Sequence, residues 1–202
     1  MSKVELTYES NYIPMNREEL VAAVQKSVQG PRFDHILRVE QKAIELAKQN
    51  DADVEKASIA ALLHDYAKNR PDSEFIGYIN KLQLDPILLD YGNAIWHGVV
   101  GAEIVKNELK IQDEEILNAI RRHTVGAPYM TLIDQIVFMA DYIEDGRDFD
   151  GVQQARIITE QSLPKGVALQ MKNTLAYLVA NNRPVFPATI DSYNAWIAKL
   201  ND

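Results

Sequence analysis

The stretch VEKASIAALLHDYAK, residues 54–68, follows Asp53 and runs through small and aliphatic residues to His64, Asp65 and, three positions on, Lys68. Asp53 is a good N-cap, because its carboxylate can accept from backbone N–H groups that the first helical turn leaves free. Ala57, Ala60, Ala61 and His64 follow one another at helical spacing, so they share a face, and the alanines let a neighbouring helix come close. The stretch therefore predicts a buried helix that ends in a polar His-Asp pair. On its own that pair is weak evidence of chemistry, and the rest of the chain decides its meaning.

Outward from this helix, nearly every segment repeats the helical period. NREELVAAVQKSV begins with Asn16 and has Glu19 three residues later, a capping-box pattern, and Gly30 and Pro31 are expected to end it. A helix from about Phe33 to Gln49 carries His35 in its first turn. SEFIGYINKL and PILLDYG predict short helices, and NAIWHGVVGAEIVKNEL one longer helix from Asn93 with His97 near its start. Gly98 and Gly101 would weaken that helix by about 1 kcal/mol each, which points to close approach by another helix or a ligand. Asp113 caps EEILNAIRRHTVG, with His123 one turn beyond Ile120, and Thr131 and Asp134 form a second capping-box pattern before LIDQIVFMADYIE, which leads to Asp141. PKGVALQMKNTLAYLVANN and TIDSYNAWIAKL predict one long and one terminal helix. The expected fold class is all-α: a single helical bundle over residues 16–202 after an N-terminal extension, residues 1–15.

Composition narrows the functions. The 202 residues are 47% hydrophobic and 25% charged, enough for one sizeable core. A formal net charge of -8 argues against general nucleic-acid binding, which rests on clustered cations. Without cysteine, thiolate metal sites, disulfides and cysteine nucleophiles are excluded. The amino terminus has no signal-like apolar core and no apolar run reaches membrane-span length, so a cytoplasmic location is expected, with no membrane partner.

All four histidines fall at helix starts or ends beside small or apolar residues. One such histidine is usually a hydrogen-bonded core residue; four together, with Asp65 and Asp141, supply six nitrogen and oxygen ligands suited to iron, manganese or zinc. A two-metal arrangement would place His35, His64, Asp65 and Asp141 around one ion and Asp65, His97 and His123 around the other. Water bound there would lose its proton near neutral pH, and two ions could polarise a phosphoryl group, so phosphoester or phosphoanhydride hydrolysis is the expected chemistry. A bland alternative pairs Asp141, as an ordinary helix residue, with a cation such as Arg147, six residues on. Tyr66, Trp96, Tyr129 and Tyr142 flank the motifs and are read mainly as core or capping residues.

These residues also carry a resemblance. His35, the His64-Asp65 pair and Asp141 in MADYIED match the pattern of the HD-domain metal-dependent phosphohydrolases. WHGVVGAEIV with His97, AIRRHTVG with His123, ADYIEDGRDFDGV and the terminal PATIDSYNAW resemble the bacterial YqeK type within them. Val125 and Asp145 depart from residues common in that family, and neither is an expected ligand. The resemblance implies a symmetrical bis(5'-nucleosyl)-tetraphosphatase that cuts diadenosine tetraphosphate into two ADP at a binuclear, most typically iron, site. In that reading a hydroxide held through Asp65 attacks an inner phosphorus, with Asp65 and Lys68 as catalytic residues. Lys68 and Arg147 are the expected phosphate contacts, and Arg32, Arg122 and Thr124 further substrate contacts. A solvated cation at a helix end is the alternative for Lys68. The expected partner is a small dinucleoside polyphosphate, with a homodimer left open. Competing functions are another HD nucleotide phosphohydrolase, acting on nucleoside monophosphates, a guanosine alarmone or a cyclic dinucleotide, and a catalytically silent nucleotide sensor. A diiron redox bundle is disfavoured because no Glu-x-x-His pair occurs.

Overall fold

The computed structural model describes residues 6–200. The first five residues of the expected extension and the last two of the expected domain lie outside them. Among the described residues there are eleven α-helices and two short 3₁₀ turns, with no strand. In order, α1 is Arg17–Ser27, α2 Pro31–Gln49, α3 Val54–Leu63, α4 Asp72–Leu82, α5 Asn93–Val99, α6 Gly101–Leu109, α7 Glu114–Arg122, α8 Leu132–Ile143, α9 Val152–Gln161, α10 Leu163–Ala180 and α11 Pro187–Trp196. The 3₁₀ turns are Pro86–Asp90 and Ile197–Leu200.

Local chemistry explains the starts. Asn16 and Glu19 make the expected capping box on α1, and Thr131 and Asp134 make the one on α8. Asp53 accepts from the Lys56 N–H, and Asp113 from those of Glu115 and Ile116. Pro31 opens α2 rather than closing α1, as its missing N–H permits at the first helical position.

The hydrophobic sequence of α3 makes it the central helix. Every residue from Ala57 to Leu63 is buried, and α2, α7 and α8 pack around it. Because α3 ends inside this group, His64 and Asp65 are delivered to the interior.

Two elements differ from the sequence expectation. The single helix expected over Asn93–Leu109 is divided at Val100, close to the two glycines. There a Cβ on Gly98 would lie 3.1 Å from His123 Cε1, and one on Gly101 3.2 Å from Ala67 Cβ, which is the close approach the glycines imply. Helix α9 was not expected at all. It starts after Gly151, whose φ of 93° suits a residue without a side chain, and has no side-chain cap to announce it.

Residues 6–15 lie on the bundle. Ile13 is buried, Tyr12 Oη donates to Asp53 Oδ2 at 2.8 Å, and Tyr8 Oη is 2.9 Å from Ser58 Oγ. Ser58 in turn donates to the buried Glu40, which also holds Arg17 through contacts of 2.7 and 2.6 Å. This buried network ties the N-terminal segment, α1, α2 and α3 together. Among the described residues, no helix is long and apolar enough to cross a membrane.

Candidate metal centre

Three imidazoles are held in the same way. Nδ1 of His64 donates to Ala61 O at 2.7 Å, that of His97 to Asn93 O at 2.6 Å, and that of His123 to Ile120 O at 2.7 Å. His64 and His123 are the C-caps of α3 and α7, where the last carbonyls have no intrahelical N–H to bind. The helix ends therefore fix the tautomer, with the Nε2 lone pair facing away from the helix. His35 reaches the same state through a carboxylate, since its Nδ1 lies 3.1 Å from Glu144 Oε1. Glu144 is itself fixed by Arg38 Nε at 2.6 Å and by the Gly146 N–H.

The four Nε2 atoms converge with two carboxylates. His35 Nε2 is 3.1 Å from Asp141 Oδ1, and His64 Nε2 is 3.5 Å from Asp65 Oδ2 and 4.0 Å from Asp141 Oδ1. His97 Nε2 lies 3.4 Å from Asp65 Oδ1 and 3.0 Å from His123 Nε2. Nε2 of both His35 and His64 is buried without a hydrogen-bond partner. Buried acceptors facing one another are unfavourable unless a cation joins them. Two donor groups, His35–His64–Asp141 and His64–Asp65–His123, each have atoms within 4.8 Å of one another. A divalent metal fits this all-nitrogen-and-oxygen set. The grouping has His64 common to both sets, whereas the sequence reading made Asp65 the shared ligand.

Electrostatics suit the same role. Burial works against ionisation of Asp65, but His64, His97 and His123 outweigh it and hold the carboxyl well below the usual range. The same opposition holds for Asp141, where His35, His64 and Arg147 prevail over burial. Burial, with His123 and Lys68 nearby, lowers His97 to about 3, and burial with His64 lowers His123 to about 4. Both rings are thus neutral at pH 7. Burial also lowers His64, but the Asp65 carboxylate more than compensates and its pKa is raised.

A cleft of about 320 Å³ opens over these groups, lined by Asp65, His97, His123 and Asp141, by the cations Arg32, Lys68 and Arg147, and by Ala94, Thr124, Gln170 and Thr174. Lys68 Nζ is 3.2 Å from each ring nitrogen of His97, and burial pushes its pKa down against the pull of Asp65. Arg32 pairs with Asp65 Oδ2 at 2.9 Å. Arg147 pairs with Asp141 Oδ1 at 2.6 Å, so the ion pair weighed from sequence exists alongside the histidine contacts. Thr124 Oγ1 lies 3.0 Å from His123 Nε2.

Arg122 is placed elsewhere. Its guanidinium pairs with the fully buried Asp134 of the α8 capping box and does not line the cleft, because adjacent helical residues point in different directions. Tyr66 and Trp96 are buried, their polar tips bonded to Glu108 and to Leu88 O, and Tyr142 packs against Phe149. Sequence reasoning missed Glu144, Arg38 and Gln170. Glu144 is the C-cap of α8, three residues after Asp141, and that short spacing was the available signal.

The helical fold and its cluster of four histidines and two aspartates define a metal-dependent hydrolase of the HD class. The HD domain family matches residues 32–146, which include all six clustered residues, and the chain belongs to that family. Within it the chain is of the YqeK type. It is 44% identical to the symmetrical bis(5'-nucleosyl)-tetraphosphatase of Bacillus subtilis (strain 168), over 91% of this chain and 98% of that one. A protein of the same description from Staphylococcus aureus (strain NCTC 8325 / PS 47) is 36% identical over 89% of this chain and 94% of its own. Among solved structures, one described as a predicted HD superfamily hydrolase involved in NAD metabolism, from Clostridium acetobutylicum, superposes with a TM-score of 0.85. It is 32% identical and covers 90% of this chain and 97% of its own.

Proposed function

We propose that the protein hydrolyses diadenosine tetraphosphate symmetrically to two ADP at a binuclear metal centre formed by His35, His64, Asp65, His97, His123 and Asp141, with iron as the preferred metal. The observation that carries this reading is the convergence of four imidazole nitrogens and two carboxylates beneath a cleft rimmed by three cations. The names of the relatives supply the substrate.

Two divalent ions held by these donors would supply an activated water and neutralise charge on the phosphoryl oxygens. The chain's own groups do the rest. Lys68, at the cleft surface beside His97, places a positive charge where the inner phosphates would lie. Its lowered pKa reflects burial that also strengthens its attraction for phosphate. Arg32 and Arg147, with side chains 42% and 36% exposed, have outer faces free to hold the flanking phosphates while their inner faces brace Asp65 and Asp141. The Thr124 hydroxyl adds a donor on the His123 side. Attack in line at an inner phosphorus releases ADP as an ionised diphosphate, so no general acid is required for the leaving group.

The test is product analysis by anion-exchange chromatography after the iron-loaded protein meets diadenosine tetraphosphate. ADP as sole product supports the proposal. ATP with AMP refutes the inner-phosphorus geometry, and no turnover with metal bound favours a nucleotide sensor.

A further inference from the structure

The cleft has one wall that no part of the proposed chemistry uses. Gln170 and Thr174 stand one turn apart on α10 and line the cleft with the cations and the metal donors. Both lie outside residues 32–146, the part shared with the HD domain family at large. Gln170 is 6% exposed, and its Oε1 is buried without a hydrogen-bond partner. A buried amide left unbonded is destabilising, whereas the half-buried Asn93 amide beside the site donates to Lys68 O at 3.0 Å.

The chemistry of the missing partner follows from the amide. Whichever way the group is turned, its oxygen needs a donor. An ionised polyphosphate offers only acceptors and is already served by Arg32, Lys68 and Arg147. In adenosine the donors are the two ribose hydroxyls and the 6-amino group. We infer that Gln170 is a nucleoside-recognition residue: it accepts a hydrogen bond from the ribose or the base of one nucleoside diphosphate half, with Thr174 beside it, and so selects nucleotides over bare polyphosphate. This rests on the proposed nucleotide substrate, and it assigns to α10 the specificity that the metal donors cannot provide.

The experiment uses the metal-loaded protein and compares Gln170→Met with wild type, binding ADP and inorganic pyrophosphate by calorimetry. Met keeps the length and volume of the side chain without its polar atoms. ADP is the product, so no turnover interferes, and the result stands apart from whether the tetraphosphate is cut. The expected outcome is about tenfold weaker ADP binding, the loss of one hydrogen bond, with pyrophosphate unchanged. Thermal melting should be no lower in the variant, since a buried unbonded amide is removed. Unchanged ADP binding, or equal losses for ADP and pyrophosphate, would overturn the inference, and so would a lower melting point with ADP binding intact. Two further probes locate the donor: the variant's deficit disappears with 2',3'-dideoxyADP if the ribose is bound, and with purine riboside diphosphate if the 6-amino group is bound. Persistence of the full deficit with both would also overturn the inference.

Discussion

Gly98→Ala probes the packing that holds the candidate site together. A Cβ at this position would lie 3.1 Å from His123 Cε1, 3.2 Å from Ile120 O and 3.3 Å from His123 Nδ1. Neither neighbour can move cheaply, because one is backbone and the other is bonded to it at 2.7 Å. In a helix, replacing glycine by alanine gains about 1 kcal/mol, while forcing a methyl into a tight contact costs roughly 1–3 kcal/mol. The net expectation is destabilisation of about 1 kcal/mol, a fall in Tm of about 2–4 °C for a chain of this size. Gly77, in α4 with nothing within 4 Å of its would-be Cβ, is the internal control: Gly77→Ala should raise Tm by a similar amount. Chemical denaturation of metal-free protein would give the two values, and metal content after dialysis should fall only in Gly98→Ala. If the two variants were equally stable and equally loaded, the packing argument for His123 would be refuted.

Asp65→Ala should abolish both metal retention and hydrolysis, whereas Lys68→Ala should keep its metal and lose mainly turnover; metal analysis beside initial rates separates them. Glu144→Gln can still accept from His35, but it presents an amide donor toward Arg38 and Gly146 N–H, which both donate to the present carboxylate. Its metal affinity, measured by chelator competition, should fall roughly 10–100-fold. Asp113 has its pKa lowered: burial opposes this, but Lys56 and the N–H groups of Ile116 and Glu115 prevail. A carboxylate depressed in the folded state stabilises above its unfolded value, 3.8, and the benefit is lost as pH falls through the folded pKa. Asp113→Ala should thus cost about 1 kcal/mol at pH 7, and urea titrations should show the gap to wild type narrowing below pH 3.8.

Much of the fold could be read from the chain because its signals are local. The boxes of Asn16 and Thr131 and the caps Asp53 and Asp113 involve residues within one turn, and the small-residue face of α3 declares its own burial. Helix α9 escaped because Gly151 gives no capping side chain, and the division at Val100 because packing of α5 against α7 sets it. For the site, the histidines were legible as helix-end residues. Their convergence, the turning of Arg122 toward Asp134 and the bond from His35 to Glu144 depend on contacts between segments distant in sequence, which no local pattern records.

The most direct test of the account is a metal titration. Chelator-stripped protein is reconstituted with ferrous iron in steps, and bound metal and ADP release from diadenosine tetraphosphate are measured on the same samples. The account predicts that ADP release follows occupancy and levels off at about two ions per chain. ADP release at full rate from the stripped protein would contradict it.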